Sequence, residues 1–241
     1  MKRRALIIYC DDTRSGKLPG PSCDNINLKG YLKSNLGGNW HDDEIYSLHN
    51  PTEFMVQKVK NNLLNDADYT FVVFSGHGGI DTSDNRQYVE LSDRDIPISS
   101  LVTSSRKQAM IIDACRGYFT RIQDTRQKNI RNHFMESFSA KASTRPLFEN
   151  AIKQAEEGLT ILFSASKNQT SLDTNKGGAY LLSLLAIAEN WERTDRQSNI
   201  MNLQVAHLNA SEYITSNFET IQKPTMNDEK RRVHFPFAVK Y

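Results

Sequence analysis

The chain has 241 residues and a formal net charge of +2, and 38% of its side chains are hydrophobic and 24% charged. This composition is typical of a folded protein with a sizeable core, and it excludes wholesale disorder. The balanced charge gives no electrostatic footprint for nucleic acid, and no run approaches the roughly 18 apolar residues of a membrane-spanning helix. The charged start is followed by too short an apolar run for a signal peptide. We therefore expect an intracellular, cytoplasmic protein with neither a nucleic-acid nor a membrane partner.

Four short runs of branched and aromatic residues predict β-strands, at 4–10, 69–74, 108–112 and 160–164. Each run is almost continuously apolar, which is typical of parallel strands buried on both faces. Segments with helical spacing lie between or after them, at 24–36, 51–64 and 177–191. This alternation predicts an α/β fold, with a mostly parallel central sheet flanked by helices.

The chain is expected to form one domain, 1–241, without repeats or a second core. Its first part, about 1–120, carries three of the predicted strands. No convincing strand is found in the next interval, and we predict a mobile loop at about 121–158. The last part, about 159–241, holds the fourth strand and ends in an apolar run at 235–239 that could add an edge strand.

The three cysteines, Cys10, Cys23 and Cys115, form no CxxC pair. An odd count without such a pair argues against a disulfide framework or a structural zinc site, and it makes a reactive thiol worth seeking. Cys10 ends a predicted buried strand, where a free cysteine is a common small apolar filler. We interpret Cys10 and Cys23 as residues without a catalytic role.

Candidate catalytic residues follow two of the strands, where ligands meet an open parallel sheet. The second strand ends in Ser75-Gly76-His77-Gly78-Gly79, and the third in Asp113-Ala114-Cys115-Arg116-Gly117. Consecutive strands joined by one crossover tend to be neighbours, so His77 and Cys115 are expected to face each other. A thiol and an imidazole within reach form a nucleophile and its base. The amides of Gly78 and Cys115 are the expected oxyanion-hole donors.

These two motifs resemble the His and Cys motifs of the caspase-like cysteine peptidases, the superfamily of caspases, metacaspases and paracaspases. The chain departs from the caspase signature in having Asp113 where caspases have Gln, and its His lies closer to the Cys than is usual there. Later segments fit the same family: Phe163 to Asp173, Gly178 to Leu181, and Lys223-Pro224. In character the chain is most similar to prokaryotic metacaspase- or paracaspase-like homologues. The resemblance implies a three-layer sandwich and a cysteine endopeptidase.

An acidic pocket is predicted beside the dyad. Asp113 lies two residues before Cys115, so on an extended strand both side chains project from one face. By resemblance, Asp24, Asp173 and Ser75 occupy pocket positions of metacaspases and paracaspases. Three carboxylates attract a cation, and Arg suits them through paired hydrogen bonds. We therefore expect cleavage after Arg, with Lys second.

Each acid also has a simpler interpretation. Asp24 could cap a helix, since Asp at an N-cap accepts a backbone N–H. Asp173 could lie in an exposed loop. Asp113 could orient His77 as the third member of a triad.

The expected partners are a protein or peptide substrate and an activating protein, with the chain a monomer or a homodimer. Self-cleavage in the long loop is a further hypothesis, because an Arg-specific peptidase carries cleavable residues there: Arg121, Arg126, Arg131, Lys141 and Arg145.

Some metacaspases need calcium. The acids after the His motif lack the spacing of a calcium loop, so we predict no required metal or cofactor; these acids are Asp81, Asp84, Asp93 and Asp95.

Two other classes of function remain open. Asp11, Asp12 and Lys167 resemble the acidic pair and lysine of a phosphorelay receiver, although a receiver is about half as long. A caspase-like scaffold could also bind partners without turnover, since a fold does not establish activity.

Overall fold

A computed structural model describes residues 1–117, 142–218, 220–228 and 230–241. Its central feature is a six-stranded sheet in the order β6-β5-β4-β3-β1-β2. The strands and the larger helices follow one another along the chain as β1 (Arg3–Tyr9), α1 (Pro21–Lys33), β2 (Ile45–His49), α2 (Glu53–Val59), β3 (Tyr69–Ser75), β4 (Lys107–Asp113), α3 (Arg145–Gln154), β5 (Gly158–Phe163), α4 (Ala179–Thr194), α5 (Leu203–Asn217) and β6 (Thr225–Asn227).

The sheet is mostly parallel, as the continuous apolar runs predict. Strands β1 to β5 pair in parallel, and β6 is antiparallel to β5. The register places Tyr9 beside Ser75, and Ser75 beside Asp113. The carboxyl ends of β1, β3 and β4 are therefore level with one another at one edge of the sheet.

Both faces of the sheet are covered, because alternate strand residues point to opposite sides. On one face, strand residues such as Ile7 and Ile111 join a core with α1, α3, α4 and α5. On the other, Ile8 and Ile112 join a core with Val56 of α2 and the segment that follows β3. This arrangement confirms the predicted three-layer sandwich.

Shorter elements decorate the sheet. A three-stranded antiparallel sheet follows β3, formed by Gly78–Ile80, Gln87–Glu90 and Asp95–Pro97. Three small strand pairs are Asp12–Thr13 with Gly16–Lys17, Asp173–Thr174 with Gly177–Gly178, and Ile200–Asn202 with Pro236–Val239. Short helical turns span Asp42–Glu44, Lys60–Leu64 and Ile98–Leu101.

Two expectations about the second half of the chain need correction. The predicted loop at 121–158 is too long, since Arg145–Gln154 is helix α3, which begins with Pro146 in its first turn and buries Phe148 and Ile152. The rest of that loop, 118–141, lies outside the described residues. The tail does form a strand, Pro236–Val239, but it pairs with Ile200–Asn202 and does not join the central sheet, whose edge strand beside β5 is β6.

No helix within the described ranges combines the length and the apolarity needed to cross a lipid bilayer.

Candidate active site

Strands β3 and β4 bring the His loop and the Cys loop to the same edge of the sheet. The N–H of Gly76 donates to the carbonyl of Asp113 at 3.2 Å, and the N–H of Ile80 donates to Gly117 at the same distance. A methyl group at Gly78 would lie 3.0 Å from Cβ of Ala114. The predicted adjacency of the two strands is thus confirmed, and the two loops are in close contact.

The backbone of Cys115 is held by side chains that the sequence analysis did not single out. The amide of Gln87 donates to the Cys115 carbonyl at 3.0 Å and accepts from Nε of Arg116 at 3.1 Å. Arg116 also donates to the carbonyl of Ala165, and its guanidinium lies 4.0 Å from the centre of the Phe163 ring. Gln87 lies in the antiparallel sheet, so a contact between elements distant in sequence holds the Cys115 backbone, and no local sequence pattern signals it.

The sulfur of Cys115 contacts Ser171. The N–H of Ser171 donates to Sγ at 3.4 Å, and Sγ lies 3.9 Å from the Ser171 carbonyl oxygen. Nε2 of His77 is buried and has no hydrogen-bonding partner among the described residues. The two catalytic candidates thus share one edge of the sheet, but no hydrogen bond joins them.

Burial raises the pKa of the Cys115 thiol above its ordinary value, and the charges of Asp113 and Asp173 raise it further. The N–H groups of Ser171 and of Cys115 itself oppose this rise. The thiol therefore needs a base to become a nucleophile at neutral pH.

One expected oxyanion-hole donor, the N–H of Gly78, is not engaged by the neighbouring strand. The N–H of Glu90 donates to the carbonyl of His77 at 3.0 Å, while Gly78 lies opposite Val89 in the same antiparallel ladder. In such a ladder, residue pairs that exchange hydrogen bonds alternate with pairs that do not. The pair of His77 and Glu90 is hydrogen-bonded, so the next pair, Gly78 and Val89, is not. The Gly78 N–H therefore points away from the partner strand.

Asp24 is not a helix cap. Helix α1 begins at Pro21 with Gly20 as its N-cap and no side-chain capping bond, which rules out the capping interpretation. The Asp24 carboxylate is 1% exposed and accepts from the Ser75 hydroxyl at 2.6 Å and from the Gly178 N–H at 3.0 Å. Two predicted pocket residues, Asp24 and Ser75, are therefore in direct contact.

Asp113 faces the same point from the end of β4. Its carboxylate accepts from the Ser171 hydroxyl at 2.6 Å and from the N–H of Leu181 in the first turn of α4 at 3.4 Å. These bonds go to Ser171 and Leu181 and not to His77, so they give no support to the alternative in which Asp113 orients the imidazole. The positive end of the α4 dipole favours carboxylates here.

The third acid, Asp173, is half-buried and does not lie in an exposed loop. Its carboxylate accepts from the Gly20 N–H at 3.0 Å, and a methyl group at Gly20 would lie only 1.8 Å from one of its oxygens. A methyl group at Gly178 would similarly lie 2.2 Å from an oxygen of Asp113. Glycines thus let three carboxylates approach the starts of α1 and α4.

The three carboxylates are crowded and poorly solvated. Burial raises the pKa of Asp24 well above its ordinary value, and the neighbouring charges of Asp113 and Asp173 add to the rise. Burial also raises the pKa of Asp113, and it raises that of Asp173 to about 7. In the described part of the chain, the groups that donate hydrogen bonds to Asp24 and Asp113 are neutral.

The remaining candidates serve other contacts. Cys10 is fully buried, and burial raises the pKa of its thiol to about 12, which fits the filler interpretation. Cys23 donates to the carbonyl of Asn175 at 3.5 Å. Asp11 is bonded to Ser22, His49 and Asn50.

The acids after the His motif have separate partners. Asp81 and Asp84 accept from backbone N–H groups in their own turn, Asp93 accepts from the Glu53 N–H, and Asp95 pairs with Arg14 at 2.6 Å. No group of three or more His, Cys, Asp or Glu side chains that could hold a metal ion occurs among the described residues.

Comparisons with known proteins agree with this fold. The family model described as the caspase domain matches residues 2–235. Among solved structures, the crystal structure of caspase-1 from Spodoptera frugiperda superposes with a TM-score of 0.60 at 15% identity, covering 94% of this chain and 86% of that one. At that identity the likeness shows the fold alone. No curated protein sequence gave a significant match. Because the family model spans nearly the whole chain, this protein belongs to the caspase-domain family of cysteine peptidases.

Proposed function

We propose that the chain is a cysteine endopeptidase that cleaves proteins or peptides after Arg, and less efficiently after Lys. The observation that carries this proposal is the meeting of Asp24, Asp113 and Asp173 beside Cys115. Asp24 and Asp113 are held by neutral hydroxyl and amide donors, which orient the carboxylates without neutralising them. Buried carboxylates of this kind are costly to the fold, and a guanidinium would compensate their charge with paired, charge-assisted hydrogen bonds.

In the proposed reaction, His77 removes the thiol proton and Cys115 attacks the carbonyl carbon of the bound arginine. The Gly78 and Cys115 amides stabilise the oxyanion, and protonated His77 then donates its proton to the departing amine. Water hydrolyses the thioester, with His77 again acting as base. The resting sulfur contacts Ser171, so the attack requires the thiol to turn towards the imidazole.

The test is hydrolysis of four fluorogenic peptides that differ only in an Arg, Lys, Asp or Asn before the scissile bond. We expect Arg to be cleaved fastest and Lys second, with both activities lost in Cys115→Ala and in His77→Ala. A preference for Asp would refute the pocket assignment. No cleavage of any peptide, together with no labelling of Cys115 by a thiol reagent, would favour the non-catalytic scaffold.

We also propose that the enzyme can cleave itself, and the structure narrows the candidate sites. Arg145 is the one candidate within the described residues. Its guanidinium forms two hydrogen bonds with Glu44, at 2.6 and 2.7 Å, and pairs with Glu149 at 2.9 Å. A side chain engaged in this way is not available to a pocket, so we exclude Arg145. Arg121, Arg126, Arg131 and Lys141 stay as candidates and lie outside the described residues.

Self-cleavage is tested by incubating the purified protein beside its Cys115→Ala variant and mapping new termini by mass spectrometry. We expect fragments only from the wild type, with new carboxyl termini at Arg or Lys. Fragments from both proteins would point to a contaminating protease instead.

A further inference from the structure

Ser171 contacts both functional parts of the site. Its hydroxyl donates to Oδ1 of Asp113 at 2.6 Å, while its N–H donates to the sulfur of Cys115 at 3.4 Å. One residue therefore bonds to a pocket carboxylate and to the nucleophile at the same time. Among the residues that the structure describes, no other forms hydrogen bonds to both groups.

The segment around Ser171 is itself anchored from behind. The side chain of the fully buried Gln222 accepts from the Leu172 N–H at 3.0 Å and donates to the Ser164 carbonyl at 2.7 Å. It also donates to the Ser171 hydroxyl at 3.3 Å. The Ser171 hydroxyl thus has Gln222 as a donor on one side and Asp113 as an acceptor on the other.

We propose that Ser171 is a positioning residue that couples occupancy of the acidic pocket to release of the Cys115 thiol. This inference rests on the proposed function of the pocket. A guanidinium entering the pocket competes with the Ser171 hydroxyl for Oδ1 of Asp113, because both are hydrogen-bond donors and the guanidinium is charged. When Ser171 leaves Asp113, its main chain moves from the sulfur and the thiol becomes free to reach His77.

The hold of Ser171 on the thiol accounts for the lack of a hydrogen bond between Sγ of Cys115 and Nε2 of His77 in the resting structure. Sγ contacts Ser171, and Nε2 of His77 is buried without a hydrogen-bonding partner among the described residues. An unpaired buried imidazole nitrogen is costly, and a hydrogen bond from the released thiol would remove that cost. The thiol proton then passes to His77, leaving a thiolate. A substrate residue other than Arg or Lys cannot compete with the Ser171 hydroxyl for Asp113, so the Cys115 thiol stays in contact with Ser171.

The experiment measures alkylation of Cys115 by iodoacetamide, followed by mass spectrometry so that Cys10 and Cys23 are counted separately. In this reaction the sulfur forms a bond to carbon, iodide leaves, and the thiol proton goes to His77 or to buffer. Methylguanidine serves as a probe that can fill the pocket but offers no bond to cleave. Methylammonium is the matched control, with the same charge and no paired donors.

In the wild type we expect methylguanidine to accelerate alkylation of Cys115 and to move its pH profile to lower pH, with a smaller effect of methylammonium. In Ser171→Ala the rate without a probe should already be about tenfold higher, which corresponds to loss of one hydrogen bond to a charged group. Methylguanidine should then add little. Ser171→Thr, which keeps the hydroxyl, should behave as the wild type.

Ser22→Ala is the control for a general loss of stability, because it removes a hydroxyl-to-carboxylate bond at Asp11 that does not involve the sulfur. It should leave Cys115 alkylation unchanged. Equal rates in Ser171→Ala and wild type, or an equal response of both to methylguanidine, would overturn the coupling. If Arg peptides are still cleaved in that case, the proposed function stands without it. Faster alkylation in Ser171→Ala without cleavage of any peptide would support the hold on the thiol and count against the proposed function.

Discussion

Both ends of the central sheet bury ionisable side chains, but the partners of these side chains differ between the two ends. At the amino ends of β1 and β2, Arg3 is fully buried and pairs with Glu44 at 3.5 Å, and Arg145 forms a bidentate pair with the same carboxylate. At the carboxyl ends of β3 and β4, Asp24 and Asp113 receive hydrogen bonds from neutral groups. The first group pairs opposite charges within the protein, whereas in the second the hydrogen bonds to the carboxylates come from uncharged donors.

The pKa shifts reflect this difference. Burial alone would raise the pKa of Glu44, but the hydrogen bonds from Arg145 and the His41 N–H, with the charge of Arg3, bring it below its ordinary value. Burial raises the pKa of Asp24 and Asp113 instead. A carboxyl with a raised pKa favours folding at low pH, and this contribution is lost as pH rises through the folded-state pKa. The pocket therefore weakens the fold at neutral pH, while Glu44 supports it.

The largest effect is expected from breaking the paired end. Glu44→Gln removes the carboxylate between Arg3 and Arg145, leaving a buried guanidinium poorly compensated. We expect a loss of about 3–5 kcal/mol in the free energy of unfolding, measured by urea denaturation. The ratio of Arg to Asp peptide cleavage should stay the same in the folded variant. A changed ratio would mean that this end of the sheet also influences specificity.

Asp113→Asn tests the pocket in the opposite sense. The substitution removes one charge that would bind the substrate guanidinium, so kcat/KM for Arg peptides should fall about 10- to 100-fold. Stability at pH 7.5 should be unchanged or higher, because a costly buried charge is gone. Glu44→Gln is the matched comparison. A loss of stability without a loss of Arg preference would contradict the division between the two ends.

Gly178→Ala should disturb the pocket by crowding alone. The added methyl would meet an Asp113 oxygen at 2.2 Å, and overlap of this kind costs about 1–3 kcal/mol. We expect about a tenfold loss of Arg peptide cleavage. Gly30→Ala, in the last turn of α1 with open space around the new methyl, is the control and should stabilise the protein by about 0.5–1 kcal/mol. Equal activity in the two variants would show that the close approach at Gly178 does not matter.

The smallest effect concerns pH. Since the pKa of Asp173 is about 7, this carboxyl gains its charge as pH rises through that value. In Cys115→Ala, where no chemistry interferes, affinity for arginine amide should increase up to about tenfold between pH 6 and 8, measured by calorimetry. Asp24 and Asp113 also face the pocket and titrate there. Asp173→Asn should flatten the profile, and an unchanged slope in that variant would assign the effect to the other two acids.

The sequence was most informative where the chain is most buried. Four of the central strands were predicted to within two residues, because a strand covered on both faces is apolar at almost every position. The edge strand β2 was missed, since its Ser47 and His49 interrupt that pattern. Helix α5 was also missed, although Leu203, Ala206, Ala210 and Ile214 follow helical spacing and Asn202 caps it through the Val205 N–H.

Only part of the site could be predicted from the sequence. The adjacency of the His77 and Cys115 loops followed from strand order, and the pocket acids came from family resemblance with Asp113 supported by strand periodicity. The contacts of Ser171, Gln87 and Gln222 could not be predicted. Each joins segments distant in sequence, and a lone polar side chain carries no periodic signal.

The pairing of β4 with β5 has a consequence for a chain cut between residues 118 and 141. One fragment would carry β4 and the other β5, and these strands would stay hydrogen-bonded to each other from Gly158 beside Lys107 to Phe163 beside Ile112. Arg116 would still bond to Thr225 across the break, and Thr144 to Asn39. A nicked molecule would therefore run as two bands in denaturing gels and as one particle in gel filtration, and its halves would separate only on unfolding.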